Sequence, residues 1–358
     1  MRAILLNPGP VSLSEGVRRA AVATDLCHRE AEFYDVQDRV RERLTGVYEL
    51  DSRTWCSTTL GGSGTTALEA MLSSLLPGNS RLLVVENGVY GERLSQLARV
   101  HGIVHDTVTH GLLEAWDLHR IADKLANRGF SHVAAVHHET TCGRLNPVRD
   151  LAGLCEQFGV DLLLDTVSSF AAEEIPFESS ALLACAATAN KCLHGIPGLC
   201  MVVARRLGLA QAVKPPRSLT LNLALWAEHQ ERRSTPFTPA VNSVLALDQA
   251  LAELAESGGW QARHVRYRRL ADRVAQGLAG LGVETILPAH ESSCVLRAYR
   301  IPPGRSYAEI HVSMKQRGFV VYAGQGNIGR GMFRISTMGD ISDYDLDRLL
   351  EALEAVFA

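Results

Sequence analysis

The sequence predicts an α/β fold, with a large unit built on a mainly parallel sheet and a smaller C-terminal α+β unit. Three observations carry this reading. Short apolar runs alternate with amphipathic helical stretches over roughly residues 15–240, the pattern of a parallel sheet covered on both faces. The pattern then changes to a long helical region, followed by strand, helix, strand, strand and helix. The chain's 358 residues also exceed one ordinary domain and suggest two unequal ones.

Taken in order, Arg81–Glu86 (RLLVVE), His132–His137 (HVAAVH) and Asp161–Asp165 (DLLLD) are too short for helices and apolar enough for buried strands. Leu182–Thr188 and Leu199–Ala204 join them. Helical spacing marks Thr65–Leu76, Arg93–Val100, Asp117–Asn127 and Val148–Phe158. From Asn242 to Leu281 the pattern is helical, broken near Gly258–Gly259. Beyond it, Cys294–Ala298, Phe319–Tyr322 and Met332–Ile335 are strand-like, Ala308–Arg317 is helical, and a last helix starts at Asp343. The expected organisation is a large domain over residues 1–240 and a small domain over 241–358. The N-terminal segment 1–15 is the piece that could pack with the small domain.

Composition narrows the class. With 46% apolar and 21% charged residues, the chain suits a soluble globular protein with an ample core. A net charge of −3 demands neither nucleic acid nor an acidic membrane as partner. The apolar runs are far short of a bilayer span. Asn7 and Pro8 interrupt the N-terminus too early for a secretory signal. The eight cysteines are scattered without a CxxC pair, so a reduced, cytoplasmic setting is expected.

Four features carry chemistry. Lys191 is one of only four lysines and is the sole charged residue in the stretch 184–203. An amine among apolar residues loses hydration and its pKa falls, which suits a nucleophile or a Schiff-base lysine. The same setting also suits a strand-end lysine whose ammonium reaches water. Gly61-Gly62-Ser63-Gly64-Thr65-Thr66 opens a helix. Such a loop and helix N-terminus form a phosphate cup, or simply a glycine-rich turn with a threonine cap. The loop is neither a nucleotide P-loop nor GxGxxG. Asp165 ends an apolar strand at the sheet edge where ligands bind, as a partner for a cationic ring nitrogen or as a helix cap. Arg334, inside an apolar strand, suits a carboxylate or phosphonate, or an internal acidic partner. The stretch His137-His138-Glu139-Thr140-Thr141 is read as pocket lining. Adjacent strand residues face opposite sides and HExxH spacing is absent, so no metal site is expected. Phosphate cup, strand-end acid, a lysine 26 residues further on and a strand arginine together match what pyridoxal 5′-phosphate requires.

At this point the chain resembles the class V, fold-type I aminotransferases, and within them the 2-aminoethylphosphonate–pyruvate transaminases. The resemblance rests on Asn7-Pro8-Gly9-Pro10, Gly62-Ser63-Gly64-Thr65, Asn87-Gly88-Val89-Tyr90-Gly91, His138-Glu139-Thr140-Thr141-Cys142-Gly143, Asp165-Thr166-Val167-Ser168-Ser169-Phe170, Ala189-Asn190-Lys191-Cys192, Pro197-Gly198 and Phe237-Thr238-Pro239, in family order. It implies that Lys191 holds pyridoxal phosphate and shuttles a proton. It further implies that Asp165 pairs with the ring N–H and that Ser63, Gly64 and Thr65 bind the phosphate. Tyr90 would stack on the ring, Thr140 would meet its 3-oxygen side, and Asn190 would lie beside it. Thr238 would reach the cofactor phosphate of a second subunit, which implies a homodimer. Gly9 and Arg334 would contact substrate. The implied partners are a small-molecule amino donor and an α-keto acid, with 2-aminoethylphosphonate and pyruvate giving phosphonoacetaldehyde and L-alanine. One stretch departs from the pattern. Cys27-His28-Arg29-Glu30-Ala31-Glu32-Phe33 stands where many catabolic phosphonate enzymes carry a Trp-Asp-containing segment. It is compatible with a biosynthetic phosphonate transaminase or with an alanine–glyoxylate or serine–pyruvate enzyme; transamination of alanine or serine with glyoxylate or pyruvate is the alternative, and a lyase or desulfurase on the same fold is a more distant one.

Overall fold

Seven strands form the centre of the computed structural model, which describes residues 3–127, 129–324 and 331–358. In chain order they are β1 (Trp55–Gly61), β2 (Arg81–Glu86), β3 (Val104–Thr109), β4 (His132–Val136), β5 (Asp161–Asp165), β6 (Leu182–Thr188) and β7 (Leu199–Arg205). Their spatial order is β1-β7-β6-β5-β4-β2-β3. All pairings are parallel except the two made by β7, which runs antiparallel to both β1 and β6.

Side-chain alternation shows how each strand is buried on both faces. Leu162 and Leu164 of β5 enter one apolar cluster, with Val133 and Ala135 of β4 and Leu83 and Val85 of β2. Leu163, Ala134, Val136, Leu82 and Val84 enter the cluster on the opposite face. A period of two in side-chain direction forces this division. It explains why these strands are continuous apolar runs in the sequence. The edge strand β3 (VHDTVT) is different, because only Val108 in it is buried. A strand with one neighbour and a wet face shows no apolar run, so the apolar criterion passes it over.

The small unit holds an antiparallel sheet of Leu296–Arg300, Met332–Ser336 and Tyr322–Ala323. Helices Gly259–Gly280, Tyr307–Gln316 and Asp343–Phe357 share one apolar cluster with it. The expected single strand Phe319–Tyr322 is two short ones. Phe319–Val320 pairs in parallel with Ile4–Leu5, whereas Tyr322–Ala323 pairs with Met332–Ser336. The N-terminal segment is therefore a strand of the small unit. Helix Val241–Glu256, by contrast, places Val244, Leu247, Leu251 and Leu254 in the large unit's cluster with Val40 and Leu44. Two glycines with positive φ, Gly258 at 93° and Gly259 at 76°, end this helix and start the next. We therefore propose the boundary at this break rather than at residue 240.

Candidate active site

The C-terminal ends of the parallel strands share one sheet edge, and Tyr90, Thr140, Asp165 and Lys191 stand at or after them in sequence. Two antiparallel steps, β6 to β7 and β7 to β1, bring the end of β1 to the same edge. Open α/β sheets bind ligands at this edge.

Lys191 follows β6 in a tight turn. Ala189 N–H donates to Leu199 O, Gly195 N–H to Ala189 O and His194 N–H to Lys191 O, at 3.1, 2.8 and 3.0 Å. Asn190 in the same turn accepts a bond from the Thr188 hydroxyl at 2.9 Å. The lysine amine donates to the Pro8 carbonyl. Gly9, with φ of 103°, lies against the lysine stem, and a Cβ there would sit 2.6 Å from Lys191 Cδ. Burial lowers the amine from 10.5 to about 8, while Cys192 and Asp165 pull the other way. A sizeable share of the amine is thus neutral near pH 8 and can act as nucleophile or base.

Asp165 closes β5 and is buried. Its Oδ1 accepts the Val167 N–H at 2.9 Å. No ion pair holds it among the described residues. Burial pushes its carboxyl up to about 7, against that hydrogen bond; Glu139 adds to the rise, and Arg93 and Lys191 oppose it. A carboxylate in this setting gains from a cationic hydrogen-bond donor.

The cup lies beside it. Ser63 precedes helix Gly64–Leu75, and its N–H donates to the Thr66 hydroxyl at 3.1 Å. The N–H groups of Gly64 and Thr65, in the first turn, have no intrahelical acceptor. A Cβ on Gly64 would meet Val167 Cγ1 at 2.6 Å, so the missing side chain lets the helix N-terminus approach the segment that follows Asp165. Tyr90 opens helix Val89–Val100, and its N–H donates to Glu139 Oε2 at 3.2 Å. Glu139 is fully buried and also accepts from the Thr141 N–H at 3.1 Å. Gly88 leaves it room, since a Cβ there would lie 2.4 Å from Glu139 Cδ.

Arg334 is 1% exposed at the centre of its strand. Nε donates to Ala323 O at 2.7 Å and Nη1 to Thr140 O at 2.8 Å, with the Tyr322 ring 5.5 Å from the guanidinium. Among the described residues no carboxylate pairs with it. Its bonds to two carbonyls hold the plane of the fork, and the nearby Glu139 acts on its charge without a direct ion pair among the described residues. Burial lowers its pKa, and Tyr90 and Tyr322 count among the neighbours that oppose this. Lys191 in turn feels the Arg334 charge.

Contacts link Gly9 to Lys191, Arg334 to Thr140, Tyr90 to Glu139 and, through Arg93, to Thr65, and Gly64 to Val167 two residues after Asp165; the charges of Asp165 and Arg334 act on Lys191, and Asn190 precedes it in the same turn. Ser63 is exposed at the start of its helix. Thr238 is exposed on the segment between helices Leu223–Glu231 and Val241–Glu256, and no recorded contact joins it to the others. Two residues emerge that the sequence did not single out. Glu139 is legible in the sequence only as one residue of the His137–Thr141 stretch. Arg93 lies one turn after Tyr90, its guanidinium 4.9 Å from the Tyr90 ring centre and its Nη1 3.4 Å from Thr65 Oγ1. The i, i+3 spacing of Tyr90 and Arg93 on a helix starting at a strand end was the available signal.

The family model for class V aminotransferases matches residues 17–325. The chain belongs to the class V aminotransferase family. A 2-aminoethylphosphonate–pyruvate transaminase of Phocaeicola vulgatus is 33% identical to this aminotransferase, over 99% of the chain and 98% of the relative. One from Vibrio cholerae is 34% identical, over 98% and 96%. Among solved structures, an aspartate aminotransferase of subgroup IV from Thermus thermophilus superposes with a TM-score of 0.89 at 27% identity, over 99% of each chain. The fold is that of the fold-type I aminotransferases, as the resemblance implied. No helix among the described residues of this aminotransferase is long and apolar enough to cross a membrane.

Proposed function

We propose that this aminotransferase uses pyridoxal 5′-phosphate to convert 2-aminoethylphosphonate and pyruvate into phosphonoacetaldehyde and L-alanine. One observation carries the cofactor reading: a lysine amine lowered to about 8 shares a buried site with a carboxylate that has no cationic partner. The rest of the site fits the same group. The open N–H groups at the start of helix Gly64–Leu75 suit a phosphate. Two transaminases of this name, alike over nearly the whole chain, support the substrate pair.

When bound, the cofactor supplies an aldehyde that exchanges with amines and a ring that withdraws electrons from the bond being broken. Lys191, in its neutral form, would be the residue that holds this group, and its Nζ would take up and return a proton at the amine-bearing carbon of the substrate. Asp165, as carboxylate, would pair with the ring N–H and so support the group's electron demand. Ser63, Gly64 and Thr65 would hold the phosphate, Tyr90 would cover the ring, and Thr140 and Asn190 would border it. Arg334 binds the phosphonate of the donor and the carboxylate of pyruvate, which explains how one cation serves both half-reactions. Gly9 lets the chain wall off the lysine. Thr238 would reach the cofactor phosphate of a second copy, so the active form is a homodimer. The chain works in the cytoplasm.

The alternatives are weaker on specific grounds. A desulfurase needs a mobile thiolate. Cys294 is buried among Val11, Tyr267, Val295 and Met338, and burial pushes its thiol well above its ordinary range. The test is a single-turnover absorbance assay on holoenzyme without any keto acid. Conversion of the cofactor's aldehyde-form absorbance to the amine form by 2-aminoethylphosphonate is the expected result. L-Alanine should react too, as the reverse donor. Reaction with alanine or serine but not with the phosphonate would move the enzyme to the amino-acid transaminases.

A further inference from the structure

We propose that Arg93 is a direct ligand of the cofactor phosphate, an inference that rests on the cofactor reading above. Arg93 sits on helix Val89–Val100 with its guanidinium carbon 4.9 Å from the centre of the Tyr90 ring. That stacking fixes the plane of the fork. From there Nη1 reaches Thr65 Oγ1 at 3.4 Å, in the first turn of helix Gly64–Leu75. No carboxylate pairs with Arg93 among the described residues. A guanidinium has five N–H donors, and this long contact to Thr65 is its one recorded hydrogen bond.

Charge balance gives the arginine its task. A phosphate monoester brings a charge of about −1.5 to −2. The helix N-terminus offers the equivalent of roughly +0.5. Asp165 lies close enough for Arg93 to pull its pKa down, and the buried Glu139 is on the same side of the site. A dianion here faces two carboxyl groups and needs a further full cation. Lys191 cannot supply it, because its amine is committed to the aldehyde. Arg93 can, and it approaches from the side of the cup that Thr65 lines.

The experiment titrates apoenzyme with pyridoxal 5′-phosphate and, separately, with pyridoxal, following absorbance and protein fluorescence. Wild type, Arg93→Ala and Arg93→Lys are compared, with circular dichroism confirming the fold of each. The expected result is a loss of between about 10- and 100-fold in affinity for pyridoxal phosphate in Arg93→Ala, with pyridoxal binding within about twofold of wild type and a smaller loss in Arg93→Lys. Equal losses for both aldehydes would overturn the proposal and leave Arg93 as a support for Tyr90. Unchanged binding of both aldehydes with a raised KM for 2-aminoethylphosphonate would overturn it in favour of a substrate contact. Wild-type apoenzyme that binds neither aldehyde would sink the cofactor reading itself, and this proposal with it.

Discussion

Burial at Lys191 strips away the water that would keep its amine protonated, and this sets the pH at which the residue works. The rate at which apoenzyme captures pyridoxal phosphate should rise with pH and level off above about 8. A rate that climbs steadily towards the ordinary lysine value of 10.5 would show that the amine is not desolvated. Lys191→Ala should remove turnover entirely, with normal transamination by the variant refuting its role. Arg334 has its fork held by Ala323 and Thr140 and makes no direct ion pair among the described residues. Arg334→Gln should therefore raise KM for the phosphonate donor and for pyruvate together, by the equivalent of about 2–5 kcal/mol each. Steady-state kinetics with both substrates check this, and a rise for one substrate alone would show that the two do not share the arginine.

Among elements, the Pro8–Gly9 turn is the most constrained. Gly9 combines a φ of 103° with a Cβ position 2.6 Å from the lysine stem. Gly9→Ala should lower stability by about 1 kcal/mol or more and lower kcat by a larger factor, because the added methyl displaces the amine itself. Urea midpoints and kcat measured on the same variant separate the two effects, and kcat equal to wild type would mean that the turn does not shape the lysine's position. The sequence showed Gly9 only through resemblance, since nothing in residues 7–10 reveals what a glycine will touch 182 positions later in the chain. The same limit explains Arg93, whose significance depends on Thr65 from another helix. Strands β2, β4 and β5 were legible because burial on both faces writes an unbroken apolar run. Strand β1 (WCSTTLG) was not, although six of its residues are buried. Its hydroxyl and thiol groups lower the local hydropathy, and Thr59 meets Gln230 through hydrogen bonds rather than apolar contact. The direction of β7 was also hidden, because an apolar run carries no sign of which way its neighbours run.

Across the whole molecule, a polar clasp ties the two units together. Glu173, buried after β5, accepts bonds from the Ser293 hydroxyl and the Cys294 N–H, and its other oxygen lies 3.2 Å from His264 Nδ1 on helix Gly259–Gly280. The bond to Glu173 raises His264 above 6.5. Burial pushes Glu173 up, but the bonds from His264 and Ser293 outweigh it and hold the carboxyl at about 2. The histidine's share of stability is complete below pH 6.5 and is lost as pH rises through its elevated pKa. The glutamate's share is complete above 4.5 and is lost as pH falls through about 2. His264→Gln should therefore cost more stability at pH 5.5 than at pH 9. Urea midpoints at the two pH values test this, and an equal cost at both would show that the clasp works without the charge. A second tie has a consequence for how the protein is made. Ile4–Leu5 pairs with Phe319–Val320, and the same segment lays Pro8 and Gly9 against Lys191. Ribosomes deliver the first strand some three hundred residues before its partner, so it must wait unpaired through nearly all of synthesis. A nascent chain that lacks Phe319–Val320 leaves this strand unpaired, and with it the segment that sets Pro8 and Gly9 against Lys191.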